Sequence, residues 1–357
     1  MTNQRDLSLD AFRGLTVMLM IIVNMQGNGD AAYSALAHAE WNGLTFADLV
    51  FPWFLFIVGL SIPLALERMA SRSPWPAVLR RSLILFALGV ILSWLIRPVE
   101  FDQIRWMGVL QRIGIVYLAC AAVLLSSKSW RFAAWLAAAI LVLHGIILNF
   151  PPPDGRLAGV GPGEGFSGWL DRAILPGRLL RKTWDPEGVL STFPAIASGL
   201  IGVAVMRWKQ WRKGDTKDRL VGWGVAFLVL GVISAQETPI NKALWTTSFV
   251  LVSTGLGLLV WMILRYFWAR ISEWKISRLC ILYGQTALTL YVIHMLLLAV
   301  IVGKLPDGAR IWDALYEMLA GTGLPSALAS LIFALIAGAL CTAPLAYLKR
   351  KGWLIKA

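Results

Sequence analysis

Apolar runs of fifteen to twenty-five residues recur down the chain, and the short stretches between them hold nearly all of its charge. A helix needs about 20 mostly apolar residues to cross the hydrocarbon core of a bilayer. That rule predicts ten spans, at 12–26, 46–66, 82–97, 106–125, 131–149, 189–206, 220–236, 243–264, 279–303 and 325–347. The segment between the fifth and sixth, about 150–188, is too long and too rich in Pro and Gly for a simple connector, and loops of that length are usually functional or disordered. It holds Phe166, Trp169, Leu170 and Trp184, so it has apolar groups to pack with. The expectation is an all-α polytopic integral membrane protein forming one domain over 1–357, with a long external loop.

Sidedness follows from the positive charges, which concentrate in cytoplasmic segments of membrane proteins. With the N-terminus placed inside, 22 of the 33 Lys and Arg fall on the inner side and 14 of the 20 Asp and Glu on the outer side. Ten spans return the C-terminus to the inside as well, in agreement with Lys349-Arg350-Lys351 near the end. A bacterial inner membrane with a site biased to the periplasmic face is the expected setting.

Composition excludes most other classes. The chain is 58% hydrophobic and 15% charged, with 18 Trp among 357 residues, whereas soluble domains are about 45–50% apolar and about 25% charged. Disordered, collagen-like and disulfide-knot classes need compositions this is not. The net charge of +13 reports orientation rather than a nucleic-acid partner. Cys120, Cys280 and Cys341 all lie inside apolar runs, and with three scattered histidines they give no metal-ligand spacing.

Polar groups within a bilayer cost several kcal/mol and are functional suspects. Along the predicted threading, Asn24 ends the first span; His38, Trp41 and Asn42 lie in the next outer loop, and Asp48 starts the second span. Gln111 and Arg112 start the fourth span, Asp185 and Glu187 precede the sixth, Asn241 and Lys242 precede the eighth, and His294 lies in the outer part of the ninth. All map to the outer half, which predicts an outward-facing polar pocket. Each also has a plainer reading. His38 can be a solvated loop residue, Asp48 and Asp185-Pro186-Glu187 can cap helices, Arg112 can pair with a carboxylate for stability, and His294 can make a structural hydrogen bond.

Asp10-Ala11-Phe12-Arg13-Gly14-Leu15, followed by an apolar run to Asn24, resembles the opening of a family of membrane acyltransferases. The stretch from His38-Ala39-Glu40-Trp41-Asn42-Gly43 through Asp48-Leu49-Val50-Phe51-Pro52-Trp53-Phe54 is more specific, and resembles the heparan-α-glucosaminide N-acetyltransferase family. Gly108-Val109-Leu110-Gln111-Arg112, Asp185-Pro186-Glu187-Gly188 and Pro239-Ile240-Asn241-Lys242-Ala243-Leu244-Trp245 continue the match in order. The resemblance covers about residues 8–300. It implies transfer of acetyl from cytosolic acetyl-CoA, as co-substrate and without a metal, to the amino group of a terminal glucosamine. It also places the family's active histidine on His38 and its active-site asparagine on Asn24, and implies a homodimer.

An imidazole titrates near neutral pH and suits removal of a proton from an attacking amine. In this reading His38 is a general base oriented by Asp48, and Asn24 donates to the tetrahedral oxyanion. A His38 that is itself acetylated is the competing version. Arg112 is the first expected partner of the CoA phosphates, with Gln111 beside it and with Lys242 and Arg13 as weaker ones. Trp41, Asn42, Asp185, Glu187, Asn241 and His294 are the expected acceptor contacts. The alternatives are a sugar transporter and a membrane O-acyltransferase acting on envelope polysaccharide.

Overall fold

The computed structural model describes residues 6–69, 73–212, 214–304, 308 and 310–355. Among these residues the regular structure is helical, with no β-strand beyond two isolated bridges. The N-terminal half holds α1 (Leu7–Asn24), α2 (Phe46–Arg68), α3 (Trp75–Ile96), α4 (Val109–Ser126) and α5 (Trp130–Leu148). A short helix α6 (Gly165–Ile174) lies in the long loop. There follow α7 (Val189–Arg212), α8 (Lys217–Ser234), α9 (Thr247–Ile271), α10 (Lys275–Gln285), α11 (Ala287–Ile301), α12 (Ile311–Ala320) and α13 (Ser326–Lys351).

Each predicted span falls on one of these helices, except 279–303, which falls on two. There α10 and α11 are bent by 87° at a break at Thr286, so the ninth predicted span is broken. By length and apolarity eight helices among the described residues can cross a membrane, or nine with the bent pair as one span. The expected ten is corrected to that count. The remaining predicted span is α8, which has only 18 residues and spends its first three on Lys217, Asp218 and Arg219. It nevertheless runs antiparallel along α9, with Gly224 against Gly255 and Gly231 against Val252, over about 27 Å at 1.5 Å per residue.

Apolar side chains gain little by leaving lipid for protein, so helix pairs in a membrane associate through close backbone approach at small residues. The packing follows this rule. α2 and α7 meet at Gly59, Gly199 and Gly202; a Cβ added at Gly59 would lie 1.9 Å from the Gly199 carbonyl oxygen. α1 and α10 meet at Gly14 and Gly284, where a Cβ would lie 1.7 Å from Cys280 O and 1.9 Å from Asp10 O. α2 packs against α1, α4, α7 and α9, and its Trp53 Nε1 donates to Ser253 O at 2.9 Å. It is the hub around which the site is built.

Candidate active site

One cavity of about 590 Å³ runs between α1, α2, α3, α4 and the α10–α11 break. Its wall on α2 extends from Ala47 to Ala65, about 27 Å of helix, so it follows nearly the whole element. Arg13, Ser61, Arg81 and Gln285 line one end; Asn24, His38, Arg105, Glu187 and Lys242 line the other. Val17, Met20, Phe54, Val58 and Ile113 line the stretch between.

At the His38 end, local sequence fixes the geometry. Thr45 and Asp48 form a capping box at the start of α2, which satisfies orphan amides of the first turn. Asp48 Oδ2 accepts from Thr45 N at 3.2 Å, Thr45 Oγ1 at 3.1 Å and Ala39 N at 3.1 Å. The other oxygen, Oδ1, is left for His38 Nδ1 at 2.9 Å and Lys242 Nζ at 3.3 Å. A cap and an imidazole partner are thus the same carboxylate, buried to 1% exposure, while about half of the His38 side chain is exposed. Burial lowers Lys242 from its ordinary lysine range, against the opposing pull of Asp48 and Glu187.

A second cluster borders the same end. Arg105 donates to Asp185 from Nε at 2.8 Å and Nη2 at 2.6 Å, and from Nη2 to Glu187 Oε2 at 2.5 Å. Burial alone would lower this guanidinium, but the two carboxylates reverse that and raise it above its ordinary range. Behind them Asp171 of α6 accepts from Asp185 N at 3.0 Å and Val189 N at 2.9 Å. Burial pushes its carboxyl up to about 6 despite those bonds.

The predicted site residues divide into cavity wall and support. Asn24, His38, Glu187 and Lys242 line the cavity; Trp41, Asn42, Asp48, Gln111, Arg112, Asp185, Asn241 and His294 do not. Asn241 ties two outer loops together, donating from Nδ2 to Trp41 O and Asn42 Oδ1, each at 3.0 Å. Trp41 donates to Val160 O at 2.9 Å and meets Trp184 edge to face at 5.0 Å, which anchors the long loop. Arg112 is fully buried; its Nη2 donates to Ser191 Oγ at 2.5 Å and Gly188 O at 3.2 Å, and its guanidinium lies 5.2 Å from the Trp245 ring. Those contacts hold α4 to the start of α7. His294 is fully buried on α11, one turn beyond Tyr291, which does line the cavity.

The opposite end was mostly missed from sequence. Arg13 donates to Asp10 Oδ1 at 3.0 Å, Gly284 O at 3.2 Å and Ser61 Oγ at 2.7 Å, joining α1, α2 and α10. Arg81 of α3 lies 4.8 Å from the Tyr117 ring. Arg105 was missed too, because its partners lie 80 and 82 positions away.

Residues 5–208 match the profile described as Heparan-alpha-glucosaminide N-acetyltransferase, catalytic. The chain is 31% identical over 328 residues to human heparan-alpha-glucosaminide N-acetyltransferase, covering 72% of this chain and 48% of that protein. The mouse protein of the same name is 31% identical over 320 residues with the same coverage. The chain therefore spans about half the length of the curated relatives it matches. His38, Asn24, Asp48, Arg13, Ser61 and Arg81 all fall inside the matched region, and the chain belongs to the heparan-α-glucosaminide N-acetyltransferase family.

Proposed function

We propose that this protein transfers acetyl from acetyl-CoA, entering at the Arg13 end, to the amino group of a glucosaminide at the His38 end. The observation that carries the reading is the cavity along α2, with Arg13 and Arg81 at one end and an imidazole paired to a carboxylate at the other. Arg13 and Arg81 suit CoA phosphates, since guanidinium binds phosphate through charge-assisted hydrogen bonds. The apolar stretch between the ends suits the thin pantetheine arm. The charge count of the loops supports a cytoplasmic Arg13 end and an outer His38 end.

In the reaction His38 takes the proton from the attacking amine at Nε2, while Nδ1–H donates to Asp48. The amine nitrogen bonds to the thioester carbon, and the Asn24 side-chain amide donates to the oxygen that gains charge. Collapse of the tetrahedral species breaks the carbon–sulfur bond, and the thiolate leaves with the proton held by His38. Glu187, on the same wall, meets the acceptor's ammonium, which loses its first proton to solvent to give the neutral amine; the proton taken by His38 is the second, released as the carbon–nitrogen bond forms.

The test is thiol release from acetyl-CoA by purified protein in detergent, with and without a glucosaminide, beside His38→Ala. Glucosaminide-dependent release that disappears in the variant supports the reaction and the base. An alkali-resistant product identifies an amide; an alkali-labile one moves the acceptor group to a hydroxyl. Absence of release with any amino sugar, from folded protein, sinks the proposal.

A further inference from the structure

Lys242 Nζ, His38 Nδ1 and Asp48 Oδ1 form a closed triangle with sides of 3.1, 2.9 and 3.3 Å. Chemistry does not let all three sides be hydrogen bonds at once. If Nδ1 carries its proton, it donates to Asp48, and Lys242 can bond only the carboxylate. If Nδ1 presents its lone pair, Lys242 donates to it, and the ring nitrogen then faces the carboxylate without a proton between them. The first arrangement leaves Nε2 as the basic nitrogen, which acetyl transfer needs; this inference rests on that reading of His38.

We propose that Lys242 is a positioning residue for His38: by sharing Asp48 Oδ1, its ammonium lets the carboxylate orient the ring through Nδ1 without drawing a second proton onto it. A carboxylate alone beside an imidazole favours imidazolium, and a like charge at the same distance opposes it.

The surrounding fold fixes the ammonium there. Asn241, the preceding residue, accepts from Leu244 N at 2.8 Å and donates to Trp41 O and Asn42 Oδ1, so the segment is clamped to the loop that carries His38. Gly43 N donates to Ile240 O at 2.8 Å in the same clamp. Trp245, which closes the turn onto Lys242 O at 3.2 Å, sits at φ +55. A left-handed tryptophan is strained and persists only where its surroundings over-determine it. Here Trp245 Nε1 donates to Ser198 Oγ at 3.0 Å, and its ring packs between Phe51 and Phe249. The other charged and titratable groups on this wall are Glu187, Arg105 and Tyr291. Glu187 is engaged by Arg105, and Glu40, two residues beyond His38, is exposed. Asp48 and Lys242 are thus the charges in direct contact with the ring.

The experiment compares wild type, Lys242→Met and Lys242→Arg in detergent with two readouts. One is kcat/KM for acetyl transfer against pH; the other is the pH midpoint of diethyl pyrocarbonate modification at His38, followed by peptide mass spectrometry. The second needs no turnover, so it decides the inference even if the acetyl-transfer reading fails. In the Met variant both midpoints rise by about one pH unit or more: activity is about tenfold lower at pH 6 and approaches wild type at pH 9. The Arg variant keeps both near wild type. A Met variant whose His38 midpoint stays in place overturns the proposal, and a raised acetyl-CoA KM beside that unmoved midpoint assigns Lys242 to the donor instead. Lys242→Gln is the second neutral variant where Met does not fold.

Discussion

The carboxylate of Asp171 closes over the start of α7, with Oδ1 accepting from Val189 N at 2.9 Å across 18 positions of sequence. A Cβ at Gly188 would lie 2.3 Å from both carboxylate oxygens, so only glycine admits this approach. With a carboxyl pushed up to about 6 against about 3.9 in an unfolded chain, the fold favours the protonated form. That contribution is fully present below about pH 4 and is lost as pH rises through about 6, an upper bound of about 3 kcal/mol. Thermal unfolding from pH 4 to 7 therefore shows a steeper fall in Tm for wild type than for Asp171→Asn.

Asp48 caps α2 and holds His38 with different oxygens, so two substitutions separate the roles. Asp48→Asn keeps an acceptor for the cap but not the charge opposite an imidazolium. It lowers kcat by about 10²-fold or more with little change in Tm. Asp48→Ala loses the cap as well and costs about a further 1 kcal/mol of stability. Parallel kinetics and melting curves check both.

Arg81 borders the cavity at the end assigned to the nucleotide. Arg81→Ala raises the KM for acetyl-CoA by about 10- to 100-fold, the worth of a hydrogen bond to a charged group, and leaves acetyl-pantetheine almost unaffected. Equal losses on both donors would place Arg81 in the packing of α3 on α4.

Arg112 braces the α4–α7 junction through Ser191 and Gly188. Arg112→Ala destabilises the protein by about 3 kcal/mol, while the acetyl-CoA KM of the folded fraction stays within about twofold. A selective rise in KM would return this residue to the donor site.

Hydropathy and charge made the ten helical segments legible, because each apolar run sits between charged loops. The α10–α11 break was not read from sequence, although Gly284-Gln285-Thr286 interrupts the apolar run there; so short a polar interruption does not by itself distinguish a broken span from a continuous one. His38 and Asn24 were singled out by the resemblance, and Asp48 by its capping position and as a partner for His38; the cavity lining takes in His38 and Asn24, and Asp48 bonds His38. Arg112 reads from sequence as a ligand-binding cation inside a span; in the fold its Nη2 meets the Gly188 carbonyl and the Ser191 hydroxyl at the start of α7, contacts that no local pattern announces. Arg105 and Asp171 were invisible because their partners are distant in sequence and nothing local marks them.

A cavity that follows α2 for nearly its full length is also a hazard to any membrane that stores energy as an ion gradient. Charged groups at both ends invite water, and a continuous water file would conduct protons. Val17, Met20, Phe54, Val58 and Ile113 line the stretch between, and an apolar constriction resists wetting. Under the proposed function, the side chains that would accept a slender acyl carrier would also insulate the bilayer between turnovers, so polar substitutions along that stretch are expected to leak protons across proteoliposomes before they abolish acetyl transfer.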